Sequence, residues 1–208
     1  MRVGLVQMGV GACKKTNIAT AVKLIKDASD QGAKLVTLPE CFNSPYGTQY
    51  FGQYAEAIPG DSSNAIAQAA KDNQIHIIAG SIPERVGEEV YNTCCIFNPS
   101  GDMVGKHRKI HLFDIDVPGK IYFKESEVLT AGSSPTMFSI GEINIGVGIC
   151  YDIRFPELAM RYRREGAHIL VYPGAFNMTT GPAHWAKLQV ARALDNQVNT
   201  TLVLNFQI

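Results

Sequence analysis

Short apolar runs recur along the chain and alternate with amphipathic stretches. The runs are rich in valine, isoleucine and leucine and are bounded by turn-forming residues, which predicts strands at residues 2–7, 34–38, 75–81, 90–98, 143–149, 168–172 and 200–206. Apolar residues at helical spacing predict helices at residues 16–30, 62–73, 155–165 and 182–197. Helices that alternate with nearly continuous apolar strands indicate an α/β fold built in layers.

Two segments refine this pattern. The strand at residues 90–98 is followed by the turn-forming sequence PSGD and by a second strand-like stretch at residues 103–106, which predicts a hairpin inside a mixed sheet. Residues 110–122 are predicted to form a long loop, and long ordered loops in small domains are commonly functional. We therefore expect this loop to act as a lid or as a wall of a site.

The composition is that of an ordinary globular domain. The 208 residues are 46% hydrophobic and 18% charged, which suffices for one sizeable core. Lysine and arginine together number 19, as do aspartate and glutamate, so neither nucleic acid nor an anionic membrane is an expected partner. The first residues contain no long apolar segment, and the five cysteines are irregularly spaced. Both features predict an intracellular protein in which reactive cysteine chemistry would be catalytic.

Cys150 has the most informative position in the chain. It follows the apolar run at residues 143–149 and precedes the predicted helix at residues 155–165, so we expect it at a turn between a strand and a helix. A thiol at the amino end of a helix is well presented to a substrate and is favoured as the thiolate. The alternative is a buried structural cysteine, because free cysteines are usually buried and inert.

Glu40 and Lys109 occupy comparable positions. Glu40 follows the predicted strand at residues 34–38, and Lys109 lies at the edge of the predicted loop. The carboxyl ends of strands in a twisted α/β sheet converge on a crevice, which would unite a base, a cation and a thiol. Glu40 would take the thiol proton and pass it to a leaving amine, while Lys109 and the Tyr151 backbone N–H would stabilise the oxyanion. Taken alone, each charged residue is better explained as a solvated turn or surface group, and the catalytic interpretation requires all three residues to coincide.

Three segments carry a resemblance to a known family. LPECF at residues 38–42, RKIHLFD at 108–114 and GICYDIRFPE at 148–157 resemble the glutamate, lysine and cysteine segments of the nitrilase superfamily of carbon–nitrogen hydrolases. The longer segments CFNSPYG at 41–47, FDIDVPGK at 113–120 and VYPGAFN at 171–177 are similar to its omega-amidase branch. Motifs of this length in the same order are highly specific.

The resemblance implies a four-layer αββα sandwich and a homodimer. It assigns Glu40 as the general base, Lys109 as the oxyanion cation and Cys150 as the nucleophile that forms a thioester. Glu125 matches an additional glutamate that the family places near the lysine and the substrate, although a plain acid at a helix start or in a loop is the alternative. The implied reaction is deamidation of 2-oxoglutaramate and 2-oxosuccinamate to the dicarboxylates with release of ammonia.

A substrate of this kind carries a distal carboxylate, so a second cation is expected in the site. Arg154, four residues after Cys150, would bind that carboxylate with two hydrogen bonds. Tyr46 would add a hydroxyl donor. The alternative for Arg154 is an ordinary salt bridge to Glu157.

Other clusters of reactive side chains are assigned to packing. His107 and His111 lie four residues apart at a strand end outside any metal-binding helix motif, so no metal site is predicted. Cys94 and Cys95 are adjacent in a strand, so we expect them on opposite faces and in the core. No glycine-rich phosphate loop follows a strand, and no cofactor is expected.

The resemblance covers residues 1–198 as one carbon–nitrogen hydrolase domain and leaves residues 199–208 as a divergent end. We expect a truncated or alternatively spliced chain that lacks the C-terminal strands of the sheet, so that its last strand has no further neighbour. Two functions follow: an active omega-amidase, or a weakly active or inactive form that only binds full-length subunits. The expected location is the cytoplasm, with mitochondria as a second compartment.

Overall fold

The computed structural model describes residues 1–119, 121–178 and 180–204, the last three by their backbone alone. The first sheet consists of β1 (Val3–Leu5), β2 (Leu35–Thr37), β3 (His76–Ile78), β4 (Ile82–Val86), β5 (Glu89–Phe97) and β6 (Met103–Arg108). Strands β1, β2 and β3 are adjacent and parallel. Strand β5 is antiparallel to β3 and forms antiparallel pairs with β4 and β6, so the sheet is mixed, as predicted.

A small hairpin separates the two sheets along the chain. It is formed by β7 (Asp114–Val117) and β8 (Ile121–Lys124). The second sheet then follows, with β9 (Thr136–Ile140), β10 (Ile143–Val147), β11 (Ile169–Gly174) and β12 (Asn199–Leu204). Strands β10, β11 and β12 are parallel, whereas β9 pairs antiparallel with β10.

The helices are α1 (Lys14–Asp30), α2 (Thr48–Tyr54), α3 (Asp61–Asn73), α4 (Pro156–Arg164) and α5 (Thr180–Asn196). On the first sheet, Ile25 of α1 and Ile66 of α3 are buried in one cluster with Val36 and Ile77. Apolar residues recur at helical spacing in both helices, so they lie on one face of each helix and form this outer cluster with the sheet. In the part of the chain that the structure describes, no helix is long and apolar enough to cross a membrane.

The two sheets pack face to face. Cys94 and Ile96 of the first sheet share a buried cluster with Ile145 and Val147 of the second, and helix α4 joins the same cluster. Cys95 points to the other face and packs in the cluster under α1 and α3. The α/β class, the αββα layering and the opposite orientation of the two cysteines are therefore confirmed.

The apolar pattern located most elements. A strand lies within or over each of the seven predicted runs, and each predicted helix is found within two residues of its predicted ends. Predicted strand residues 205 and 206 lie outside the described residues. Strands β4 and β9 and helix α2 were not predicted, because each is short and lacks a clear apolar period.

The prediction of a long loop at residues 110–122 is wrong. Most of this segment belongs to the β7–β8 hairpin, which turns at Gly119 with φ +72°. The segment alternates Asp114 and Asp116 with Ile115 and Val117, and such alternation is typical of a strand with one apolar face. This alternation is hard to recognise as a strand in the sequence, because its polar positions are charged and a proline follows directly. Lys120 lies outside the described residues.

Gly146 of β10 allows the second sheet and α4 to approach closely. A Cβ atom at this position would lie 2.7 Å from Cγ of Tyr162 and 2.9 Å from Cδ2 of Leu170. Both neighbours are fully buried, so neither can move without repacking the core.

We expect Gly146→Ala to lower the free energy of unfolding by about 1–3 kcal/mol, because a methyl group overfills this contact. The matched control is Gly9→Ala, since nothing lies within 4 Å of a Cβ atom built at that position. Urea unfolding followed by circular dichroism measures both. Equal unfolding midpoints for the two variants would contradict the packing explanation.

Candidate active site

Glu40 lies just beyond the carboxyl end of β2 and is fully buried. The chain turns directly after it, because Cys41 adopts the left-handed backbone conformation with φ +50°. The Oε1 atom of Glu40 accepts hydrogen bonds from Asn92 Nδ2 at 2.8 Å and from Lys109 Nζ at 2.9 Å. The carboxylate is thereby held in one orientation.

Lys109 follows β6 directly and is 1% exposed. Its backbone N–H donates to the Asn92 carbonyl at 2.8 Å, and its own carbonyl accepts from Gly132 N–H at 2.8 Å. Its ammonium group donates to Glu40 Oε1 and to Glu125 Oε1, each at 2.9 Å. One buried ammonium therefore lies between two buried carboxylates.

Glu125 follows β8 and begins a short 3₁₀ helix, Glu125–Glu127. It is fully buried and accepts hydrogen bonds from the Phe113 backbone N–H at 2.7 Å and from the Tyr46 hydroxyl at 2.6 Å. Glu125 therefore begins a helix, as one alternative expected, but it is buried beside Lys109 rather than solvated, and its role in the site stays a prediction. The Tyr46 hydroxyl, expected as a donor to the substrate, instead donates to Glu125.

Cys150 begins a second 3₁₀ helix, Cys150–Arg154, between β10 and α4. Its backbone is left-handed, with φ +45°, which is rare for a residue with a side chain. The backbone of Ala175 and the Glu40 carboxylate both lie close enough to the thiol to influence its pKa. The structure therefore unites Glu40, Lys109 and Cys150 as the sequence predicted, although their catalytic roles stay a prediction.

The electrostatics of the thiol differ from the expectation of a thiolate at a helix end. Burial raises the pKa of Cys150 well above its usual value, and the negative charge of Glu40 raises it further, whereas Lys109 acts in the opposite direction. The α-helix α4 begins only at Pro156, so no long helix dipole ends at the thiol. Cys150 is therefore a neutral thiol near pH 7.

The charges of Glu40 and Lys109 complement the neutral thiol of Cys150. Burial raises the pKa of Glu40, although Lys109 lowers it in part, so Glu40 is a better base than an exposed glutamate. Burial would lower the pKa of Lys109, but the charges of Glu125 and Glu40 raise it well above its usual value. Lys109 thus stays charged, and the site holds a thiol beside a base and a permanent cation.

A cleft opens above the thiol. Its walls include the aromatic rings of Tyr46, Phe113, Tyr151 and Phe176, and Cys150 and Arg154 both line it. The Arg154 guanidinium lies 5.6 Å from the ring centroids of Tyr151 and Phe176, and its Nη2 is 3.1 Å from His184 Nδ1. Among the described residues Arg154 forms no ion pair with Glu157, so that alternative is wrong.

Two residues in this region were not singled out from the sequence. Asn92 bridges Glu40 and Lys109 through its side chain and its carbonyl. Asp152 is buried and contacts His107 and His111. The sequence predicts that these two histidines serve packing and bind no metal. The only sequence signal for Asp152 was its place two residues after Cys150, which identifies no partner.

Comparisons with known proteins identify the family of this chain. The carbon–nitrogen hydrolase family matches residues 2–207. The chain belongs to the carbon–nitrogen hydrolase family. It is 60% identical to omega-amidase NIT2 of Xenopus tropicalis and 54% identical to omega-amidase NIT2 of Homo sapiens, in each case over 95% of this chain and 71% of the relative.

Solved structures give the same result. The crystal structure of Saccharomyces cerevisiae Nit3, a member of branch 10 of the nitrilase superfamily, matches with a TM-score of 0.87 and 40% identity. The match covers 98% of this chain and 74% of the yeast chain. The resemblance noted from the motifs is confirmed at the level of the family and the fold.

We expect Glu40→Gln to move the titration of Cys150 to lower pH. An anion beside a thiol disfavours the thiolate, so removing the Glu40 charge lowers the pKa of Cys150, by about one unit or more. The pH dependence of Cys150 alkylation by iodoacetamide, followed by peptide mass spectrometry, measures the shift.

Glu84→Gln is the matched control for this titration. Glu84 is also a buried carboxylate, but it pairs with Lys106 and Arg108 rather than with the thiol. Its substitution should leave the Cys150 midpoint unchanged. A Glu40→Gln midpoint at or above that of the wild type would contradict the conclusion that the Glu40 charge raises the pKa of Cys150.

Proposed function

We propose that this protein is an omega-amidase that hydrolyses the terminal amide of 2-oxoglutaramate and 2-oxosuccinamate to the dicarboxylate and ammonia. The observation that carries the proposal is the buried group of Glu40, Lys109 and Cys150 at the base of a cleft that also contains Arg154. The omega-amidase relatives, at 54–60% identity, support the same reaction class.

In the first step, the Cys150 sulfur attacks the amide carbon while Glu40 takes the thiol proton. Negative charge then develops on the carbonyl oxygen, where the Lys109 ammonium and the Tyr151 backbone N–H stabilise it. The carbon–nitrogen bond breaks as Glu40 returns the proton to the nitrogen. Ammonia leaves, and the acyl group remains on Cys150 as a thioester.

In the second step, water replaces ammonia. Glu40 takes a proton from the water as the oxygen attacks the thioester carbon, and Lys109 again stabilises the oxyanion. The carbon–sulfur bond then breaks, the sulfur recovers a proton from Glu40, and the dicarboxylate leaves. Glu125 takes no proton in this scheme; it holds Lys109 by accepting a second hydrogen bond from its ammonium group.

We propose that Arg154, which lines the same cleft as Cys150, binds the distal carboxylate of the substrate. Arg154 presents a guanidinium between the rings of Tyr151 and Phe176, and a planar guanidinium binds a carboxylate with two parallel hydrogen bonds. Apolar walls strengthen this ion pair because they exclude water. A hydrogen bond between Arg154 Nη2 and His184 Nδ1 also fixes the position of the guanidinium group.

Release of ammonia from 2-oxoglutaramate by the purified protein tests the proposal. We expect Cys150→Ala to lower the rate by about 1,000-fold or more, since no other described side chain in the cleft is a comparable nucleophile. A coupled glutamate dehydrogenase assay measures the ammonia. Equal rates for the wild type and the variant would overturn the role of Cys150.

Substrate choice tests Arg154 separately. We expect Arg154→Ala to lower kcat/KM for 2-oxoglutaramate by about 100-fold, because the substrate carboxylate loses its charged partner. Hydrolysis of pentanamide, which lacks that carboxylate, should change less than about threefold. Arg161→Ala, on the exposed side of α4, is the control. An equal loss for both amides in Arg154→Ala would contradict the carboxylate role.

The homodimer and the cytoplasmic or mitochondrial location stay predictions of the resemblance.

A further inference from the structure

Asp152 lies two residues after Cys150 and is fully buried. Its carboxylate accepts hydrogen bonds from two backbone groups, Ile149 N–H at 2.8 Å and His111 N–H at 2.9 Å. Two imidazole rings contact the same carboxylate, through His107 Nε2 at 3.2 Å and His111 Nδ1 at 2.7 Å. One carboxylate thus has four partners.

These partners belong to two separate segments of the chain. His107 and His111 flank Lys109, which carries the ammonium group of the site. Ile149 and Asp152 itself flank Cys150. The carboxylate therefore connects the segment of the cation to the segment of the thiol.

Asp152 also closes a ring around Cys150. The Ile149 N–H donates to the Asp152 carboxylate, and the Asp152 N–H donates to the Ile149 carbonyl at 3.0 Å. Cys150, between them, has the left-handed φ of +45°. A non-glycine residue keeps such a conformation only where its surroundings fix it, and this ring is the nearest such constraint.

A second contact secures the same connection. The His111 ring stacks on the ring of Phe155, with centroids 3.7 Å apart and planes 10° apart. Phe155 follows the 3₁₀ helix that begins at Cys150. Burial alone would raise the pKa of Asp152, but its hydrogen bonds with His107 and His111 hold it well below the usual value, so the carboxylate is ionised throughout the neutral range.

We propose that Asp152 is a positioning residue that fixes the Cys150 sulfur relative to the Lys109 ammonium group. This inference rests on the proposed function, in which both groups act on one carbonyl. Asp152 touches neither substrate nor reacting atoms in this scheme. Its loss should relax the Cys150 turn and release the Lys109 segment together, and a misplacement of about 1 Å can cost 100-fold in rate.

The test uses Asp152→Asn and Asp152→Glu in the full chain. Asparagine keeps the size but offers fewer acceptors, while glutamate keeps the charge but displaces it by one methylene group. Glu84→Gln is again the control, because Glu84 is buried and bound by β6 residues without touching the Cys150 turn. Measurements are kcat for amide hydrolysis and the pH midpoint of Cys150 alkylation, with the melting temperature recorded for each variant.

We expect both Asp152 variants to lower kcat by about 100-fold and to move the alkylation midpoint to lower pH, as the thiol leaves its buried place beside Glu40. Cys94 and Cys95 are buried, so their protection from alkylation shows that the fold of a variant is intact. Glu84→Gln should keep kcat within about twofold and leave the midpoint unmoved. Wild-type kcat in Asp152→Asn, or full activity in Asp152→Glu, would overturn the positioning role.

If the Asp152 variants fail to fold, His111→Phe tests the positioning role of Asp152. It keeps a ring to stack on Phe155 and the backbone N–H that donates to Asp152, and it removes only the 2.7 Å ring contact. The proposal requires a kcat lowered by about tenfold at an unchanged melting temperature. Wild-type kcat in this variant would contradict it.

The alkylation midpoint separates this inference from the proposed function, because it needs no amide substrate. A wild-type protein without amidase activity would reject the proposed function. If its midpoint still moved in Asp152→Glu and not in Glu84→Gln, the positioning of Cys150 by Asp152 would stand. An unmoved midpoint in a folded, active Asp152→Asn protein would reject the positioning alone.

Discussion

The site depends on the burial of one ammonium group. Transfer of a charge out of water costs several kcal/mol, and close opposite charges with good hydrogen bonds are needed to offset that cost. Lys109 meets this requirement with Glu40 and Glu125, each 2.9 Å from its Nζ atom. The three residues follow β6, β2 and β8, so the ends of three strands must meet for the charges to be compensated. Removing one partner would cost about 3–5 kcal/mol, because a charge would be left buried and uncompensated.

This arrangement also determines the state of the nucleophile. Burial raises the pKa of Cys150 and the negative charge of Glu40 raises it further, while the Lys109 ammonium group offsets these effects only in part. Burial raises the pKa of Glu40 as well, so a base lies beside the neutral thiol. Proton transfer and attack are then coupled, and the position of the sulfur matters more than its ionisation. The constraints on the Cys150 turn, including its bonds to Asp152, act on that position.

The parts of this site that the sequence predicted are those set by local pattern. Glu40 and Cys150 follow apolar runs long enough to be recognised as strands, so their place at strand ends was predictable. Glu125 was assigned by family resemblance alone. The hairpin that precedes it could not be recognised in the sequence, because β7 contains charged residues. Asp152 meets His111 across 41 residues of chain, and no local period encodes a contact of that range. Tyr46 lines the cleft, but its hydroxyl bond to Glu125 spans 79 residues, and the local pattern could not predict it either.

The most direct test of this account is the chemical trapping of the acyl group. Wild-type protein is mixed with 2-oxoglutaramate, quenched in acid within the first turnovers and digested for peptide mass spectrometry, since acid preserves a thioester. We expect the peptide containing Cys150 to gain the mass of the substrate less ammonia, and we expect this adduct to disappear as the substrate is exhausted. Continued ammonia release with unmodified Cys150, or an adduct on another residue, would contradict it.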